Sequence, residues 1–291
     1  MNPPSDRLAR RAPWATLLST FARRALRVGL LCLVLGFALG PVVWQAITSL
    51  KPDAELVRVP PIFPEHPTLD HYRAVFEKSS LGREMLNSLV VAAATTTLAI
   101  GLGGLCAFAV ARLPLPGKTV LLGLCLGISM FPPIATVSTI YLLIRAAGLR
   151  DTVLALVLLH ATYALPLTVW ILTSFFRQIP IELYWAARVD GCGPLRALLA
   201  VILPTALPGV AVAALLVFIY SWNEFMFALT LTATDQARTA PVGIALFPSL
   251  HAVPWGDMAA ASVLVTGPVL LLAVLFQRQI VAGLTAGSVK G

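Results

Sequence analysis

The sequence predicts an all-α integral membrane protein with six transmembrane helices, and three observations carry that prediction. Hydrophobic residues fill 58% of the 291 positions and charged residues only 12%, against roughly 45–50% and 25% in a soluble domain. Six stretches are free of charge: 28–50, 85–111, 119–144, 152–176, 197–223 and 258–277. Each reaches the roughly 20 residues that cross about 30 Å of hydrocarbon at 1.5 Å per residue. The segments between them alternate in charge. Those assigned inside carry 13 basic residues against three acids, and those assigned outside carry eight against nine, with Glu224 assigned to the membrane and counted in neither. That bias places both termini in the cytoplasm. A soluble bundle would need six successive helices without a charge on any face, which excludes it. The net charge of +8 therefore reports orientation in the lipid membrane, not nucleic-acid binding.

Residues 1–27 form a cytoplasmic segment in which Arg7, Arg10, Arg11, Arg23, Arg24 and Arg27 face the single acid Asp6. This leader is too long for a secretory signal, so the first run is expected to be a retained helix. Residues 28–291 form the six-helix domain. The first outer loop, 51–84, contains Pro60, Pro61, Pro64 and Pro67, which break regular structure. After them Thr68 or Asp70 can cap a short helix whose apolar side is Tyr72, Val75 and Phe76. His66 and His71 are expected to be solvated.

The second run is rich in Ala, Thr and Gly. Lipid provides no hydrophobic force between helices, so small faces must allow close approach; Gly101, Gly104 and Ala107 are the expected face. The third run contains Phe131, Pro132 and Pro133. Proline frees a carbonyl, which a membrane tolerates where protein or a water-lined cavity covers the break. A bend is expected there, either structural or lining a substrate path. Pro166, His160 and Tyr163 in the fourth run raise the same alternative; an intramembrane histidine faces an interior or a cavity. The fifth run ends in Tyr220-Ser-Trp-Asn-Glu-Phe-Met-Phe227. Glu224 is expected in the outer third of the bundle, where it and Asn223 face protein or water. Phe131, Pro132, Tyr163, Asn223, Glu224 and Phe227 are thus candidates for a pathway or gate. The second outer loop, 232–257, holds Gly243, Pro248 and Pro254. Cys32, Cys106, Cys125 and Cys192 lack metal-ligand spacing and read as small buried hydrophobes.

Between the fourth and fifth runs, 177–206 breaks the pattern. Pro180 can open a helix whose positive end Glu182 complements. Asp190-Gly191 signals a turn, and a second short run, 195–203, precedes Pro204. Two short helices meeting at a glycine make a compact knob, with Ala186 and Ala187 offering a shallow surface. The residues allow either an interfacial hairpin or a partner-docking element.

The same segment, ELYWAARVDGCGPLRALLAVILP, resembles the coupling loop of permease subunits of binding-protein-dependent ABC importers, whose pattern is EAA, three residues, G, nine residues, I-x-LP. Ala186, Ala187, Gly191 and Leu203-Pro204 match it, and Val201 replaces isoleucine conservatively. Trp185 occupies the glutamate position, with Glu182 three residues earlier. The run Arg188-Val189-Asp190-Gly191, the run Trp222-Asn223-Glu224-Phe225 and Gly283-Leu284-Thr285-Ala286-Gly287 are also similar. The likeness extends over the whole chain and is nearest to the MalG-like carbohydrate permeases. It implies a type I ABC importer permease fold, with Glu182, Trp185, Ala186, Ala187, Asp190, Gly191, Leu203 and Pro204 contacting an ATPase. The implied partners are a second permease subunit, as a heterodimer or a second copy, two ATPase subunits and an external solute-binding protein. ATP and Mg would bind the ATPases; the chain itself has no G-x-x-x-x-G-K-[ST] loop, no catalytic residue and no metal. A secondary transporter lacks support from an inverted repeat or a buried charge relay. A scaffold would leave the kinked, small-residue bundle unexplained.

Overall fold

The computed structural model describes residues 13–56, 61–247 and 253–286, and every regular element among them is helical. Arg7, Arg10, Arg11, Pro60, Pro248 and Gly287 lie outside the described residues. In chain order the helices are α1 (Pro13–Thr48), α2 (Asp53–Leu56), α3 (Asp70–Lys78), α4 (Leu81–Arg112), α5 (Lys118–Ser129), α6 (Val137–Ala146), α7 (Val153–Gln178), α8 (Ile181–Val189), α9 (Pro194–Ala197), α10 (Leu203–Thr205), α11 (Leu207–Asn223), α12 (Met226–Leu231), α13 (Ala240–Ala245) and α14 (Trp255–Ala286). Among the described residues, four stretches are long and apolar enough to cross a membrane unbroken: 23–48 of α1, α4, α7 and 255–279 of α14.

The other two predicted spans are not straight helices. The third becomes α5 and α6, too short to cross singly, joined through a 3₁₀ turn at Pro133–Ala135. Pro132 is extended (φ −67°, ψ 121°), as a residue preceding proline tends to be. The fifth becomes two segments, Pro194–Thr205 and Leu207–Asn223, meeting at 85°. The first of these widens into a π turn at Leu198–Ile202, where the Leu203 N–H reaches back to the Leu198 carbonyl. Pro204 follows; its ring would clash with the carbonyl four residues back in α register, and a wider turn relieves that clash. The predicted short run therefore passes through Pro204, and the chain bends at Ala206.

α4 lies along α7, and α11 packs against both. The buried stripe of α4 is Ser88, Val91, Ala92, Thr95, Ala99, Gly103 and Ala107, at steps of three and four residues. Gly103 is where close approach is needed, since a Cβ there would sit 2.8 Å from Thr168 Cγ2. The expected face was thus one residue out of phase: Ala107 belongs to it, Gly104 sits on its shoulder, and Gly101 points away. α14 packs on α11, and α1 leans on α14 with the residues from 23 to 45 exposed in the isolated chain. Cys32 is exposed as well, and the other three cysteines are half-buried rather than buried.

In the first loop, 51–84, His71 is buried, not solvated. Its Nε2–H donates to the Lys51 carbonyl (2.8 Å), and Nδ1 lies 2.7 Å from Asp257 Oδ1 at the start of α14. Lys51 is itself fully buried, with Nζ donating to the Pro61 carbonyl and lying 4.5 Å from the Trp44 ring centre. The inward side of α3 is consequently His71, Tyr72 and Val75, while Phe76 faces outward. His66 is exposed.

Candidate functional site

Two sites share α7 and α11, one where α7 leads into α8 and one along the middle of the pair. At the first, α8 starts after Pro180, with Glu182 in its opening turn, and stops at Val189. Its end is a left-handed glycine cap: Gly191 has φ +82°, the Cys192 N–H donates to the Ala187 carbonyl (2.9 Å) and the Asp190 N–H to that of Ala186 (2.9 Å). Arg188 Nη1 closes the turn on the Cys192 carbonyl (2.8 Å). Pro194 then opens the next helix at a position where its missing N–H is harmless.

The knob so formed has an inner and an outer face. Tyr184, Ala187, Ala197, Leu198 and Ile202 are buried with Phe176 and Ile179 of the α7 end and Phe108 of α4. The Phe108 and Tyr184 rings meet edge to face at 5.9 Å. Arg112 Nη2, at the end of α4, donates to the Phe176 and Ile179 carbonyls, two groups that the end of α7 leaves without intrahelical partners. The knob is therefore fastened to α4 and α7 by packing, and a cation ties the end of α7 that leads into it to α4. Its outer face presents Trp185 (57% exposed), Val189 (87% exposed), Ala186, Leu183, Leu195 and Leu199. Glu182, Arg188, Asp190 and Pro204 are exposed and Leu203 half-buried. The two alanines do not share a surface, because Ala186 faces out and Ala187 faces the core.

The second site is a cleft of about 280 Å³ where the break between α5 and α6 opposes α7 and α11. Phe131, Tyr163, Leu167, Thr168, Leu216 and Tyr220 contribute to its walls. Pro133 lines it rather than Pro132. Phe227 is buried, its ring 5.1 Å from that of Tyr163, and Asn223 is exposed with Nδ2 turned back onto the Ile219 carbonyl (2.8 Å). Glu224 ends α11 and turns inward, its side chain 9% exposed. One carboxylate oxygen accepts the Phe227 N–H (2.8 Å) and the other the Ala228 N–H (3.0 Å). His160 Nε2–H reaches the second oxygen at 3.2 Å, and His160 Nδ1 lies 2.8 Å from Ser221 Oγ. A neutral imidazole with its proton on Nε2 satisfies both contacts, accepting the serine hydroxyl on Nδ1.

Sequence reasoning had no hold on Arg112, Asn87 and Asp151. Asn87 Nδ2 donates to the Asp235, Gln236 and Arg238 carbonyls. Asp151, at φ +60°, accepts the Ala233 N–H, the Thr234 N–H and the Thr234 hydroxyl. Ser221 did leave a signal, since a histidine within a membrane span needs a polar partner. Among the described residues no three His, Cys, Asp or Glu side chains gather as metal ligands.

Residues 84–285 match the family described as "Binding-protein-dependent transport system inner membrane component". The chain is 45% identical over 285 residues to the trehalose transport system permease protein SugB of Mycobacterium tuberculosis, covering 97% of this chain and 99% of the relative. It is 39% identical over 254 residues to the trehalose/maltose transport system permease protein MalG of Thermococcus litoralis, covering 86% and 91%. In architecture it resembles a chain of a bacterial ABC transporter that imports the acidic polysaccharide alginate, with a TM-score of 0.75, 18% identity and 95% and 99% coverage. With a family match across most of its length and a relative of 45% identity spanning nearly all of it, the chain belongs to the inner-membrane components of binding-protein-dependent transport systems.

Proposed function

We propose that this chain forms half of the translocation pathway of an ATP-driven importer for a sugar or oligosaccharide, with trehalose the first candidate. The observation that carries the coupling half of this reading is the knob, held rigidly to α4 and α7 on its inner face and apolar on its outer face. A cytoplasmic ATPase seated on Trp185, Ala186, Val189 and Leu195 moves the ends of α7 and α11 directly, because no flexible linker intervenes. Nucleotide and Mg bind those ATPases, and this chain contributes no catalytic group. An external solute-binding protein delivers the sugar, and a second permease completes the pathway, a different chain in preference to a second copy. Both termini are cytoplasmic, as the basic inner loops favour.

The substrate reading is supported by the relatives named for trehalose and maltose transport and by the aromatic walls of the cleft. Aromatic side chains carrying a polar handle, such as Tyr163 and Tyr220, offer a flat apolar face to a sugar ring and a hydroxyl to its rim. The test is reconstitution in vesicles with the second permease, the ATPase and the binding protein. Accumulation of trehalose or another oligosaccharide that requires hydrolysable ATP is expected. Uptake without the ATPase would overturn the mechanism, and ATP-driven uptake of a non-sugar solute alone would overturn the substrate.

A further inference from the structure

We infer that Glu224 is the positioning residue of the cleft, one buried carboxylate holding both of its tyrosine walls through separate branches. This inference rests on the sugar-pathway reading and adds to it the group that sets the shape of the binding surface. The first branch runs through the backbone. Glu224 accepts the Phe227 and Ala228 N–H groups (2.8 and 3.0 Å), which fixes the opening turn of α12 against the end of α11. Phe227 thereby lies beneath Tyr163 with ring centres 5.1 Å apart, and the Tyr163 hydroxyl is tied to Thr136 Oγ1 on the far side of the break. The second branch runs through His160, which is fully buried. Its Nε2–H reaches Glu224 (3.2 Å), its Nδ1 meets Ser221 (2.8 Å), and its ring and that of Tyr220 meet edge to face with centres 6.4 Å apart.

Both branches end on residues that line the cleft, yet Glu224 itself does not line it. Three protein donors, the Phe227 and Ala228 N–H groups and His160 Nε2–H, occupy most of the roughly four acceptor sites of the carboxylate, and the side chain is set back from the cleft wall. Its action on sugar is therefore indirect, through the angle between the two tyrosine rings. Such a role predicts a change in which sugar is preferred, because the contacts of a pyranose depend on the separation and tilt of its walls. A group that merely stabilised the fold would alter the amount of assembled transporter and nothing else.

The experiment uses the complete transporter in vesicles and measures uptake against concentration for trehalose and maltose, normalised to assembled complex. Glu224→Gln keeps the shape of the side chain but replaces one acceptor by a donor. It is expected to raise the half-saturating concentration of the preferred sugar about tenfold, the equivalent of one hydrogen bond to a charged group, and to change the ratio between the sugars. Where that variant does not assemble, His160→Gln cuts the Tyr220 branch alone and is read in the same way. Unchanged sugar dependence in whatever complex assembles would overturn the inference. Phe131→Ala and Tyr220→Phe separate the two levels. If they shift sugar dependence and Glu224→Gln does not, the positioning role fails; if none of the three does, the cleft is not the sugar site.

Discussion

Gly191 gives the sharpest test of how the knob is built. Its φ of +82° puts it in the left-handed region, while a Cβ at this position would meet nothing within 4 Å. Substitution by alanine therefore adds backbone strain without a clash, and the strain amounts to roughly 1–2 kcal/mol. That lowers the population of the capped turn about five- to thirty-fold. The Cys192 N–H bond to Ala187 and the Arg188 bond to the Cys192 carbonyl are the contacts released, and with them the angle between α8 and α9. Asparagine tolerates the left-handed region better than alanine, so Gly191→Asn is expected to fall between Gly191→Ala and the parent. Two measurements follow: amide exchange across 181–197, and the affinity of the membrane-embedded permease for its ATPase. Gly191→Ala should exchange faster and bind more weakly, with Gly191→Asn intermediate. Equal exchange and equal binding in all three proteins would refute the reasoning, because the left-handed cap would then contribute nothing to the docking surface.

Three further perturbations probe contacts elsewhere. Gly209→Ala places a methyl 2.3 Å from Phe175 Cγ, at the stem of the ring and not at its far end; a loss of about 1–3 kcal/mol of stability is expected, read as a lower thermal midpoint in detergent. Gly256→Ala brings a Cβ within 2.2 Å of the His71 ring, which is held at both nitrogens, so it too should lower the midpoint, and a double variant with His71→Ala should recover part of the loss. At Asp151 burial pushes the carboxyl up, but the hydrogen bonds from the Ala233 N–H and from the Thr234 hydroxyl and N–H, with Arg150 nearby, outweigh it and hold the group below its ordinary range. Its stabilising contribution is present above the ordinary Asp value of about 3.9 and is lost as pH falls through the lowered folded value. The difference in thermal midpoint between the parent and Asp151→Asn should therefore be constant at neutral pH and vanish in strong acid; a difference that grew on acidification would contradict the assignment.

What the sequence made legible follows from how few polar groups it holds. In a chain with so little charge, each interruption of an apolar run has a cost that packing or solvent must meet. The knob and the break at Pro132 and Pro133 could be located from that alone, whereas for Glu224 the sequence left protein and water both open and only the structure shows the inward turn. The phase of α4 could not be located either. Gly101, Gly103 and Gly104 are all small, and only the contact with Thr168 selects Gly103 as the point of close approach. The burial of His71 was hidden for a related reason: its partners, the Lys51 carbonyl and Asp257, lie 20 and 186 residues away, and no local pattern announces either.

The opposite fates of Ala186 and Ala187 show how a motif can be legible while its geometry is not. Adjacent residues on a helix point about 100° apart, so two neighbouring alanines cannot both serve one flat contact. Ala187 is small because Tyr184, Leu198 and the end of α7 crowd it from within. Ala186 is exposed, and its smallness serves whatever approaches from outside. A bulky side chain at 187 should therefore disturb the fold of the knob, whereas one at 186 should block docking and leave the fold intact. Ala187→Leu and Ala186→Leu distinguish these: the first should speed amide exchange in 181–205, and the second should leave exchange unchanged while ATPase binding falls. If both variants acted through exchange, the outer face would not be the contact surface, and the exposure of Trp185 and Val189 would need another explanation.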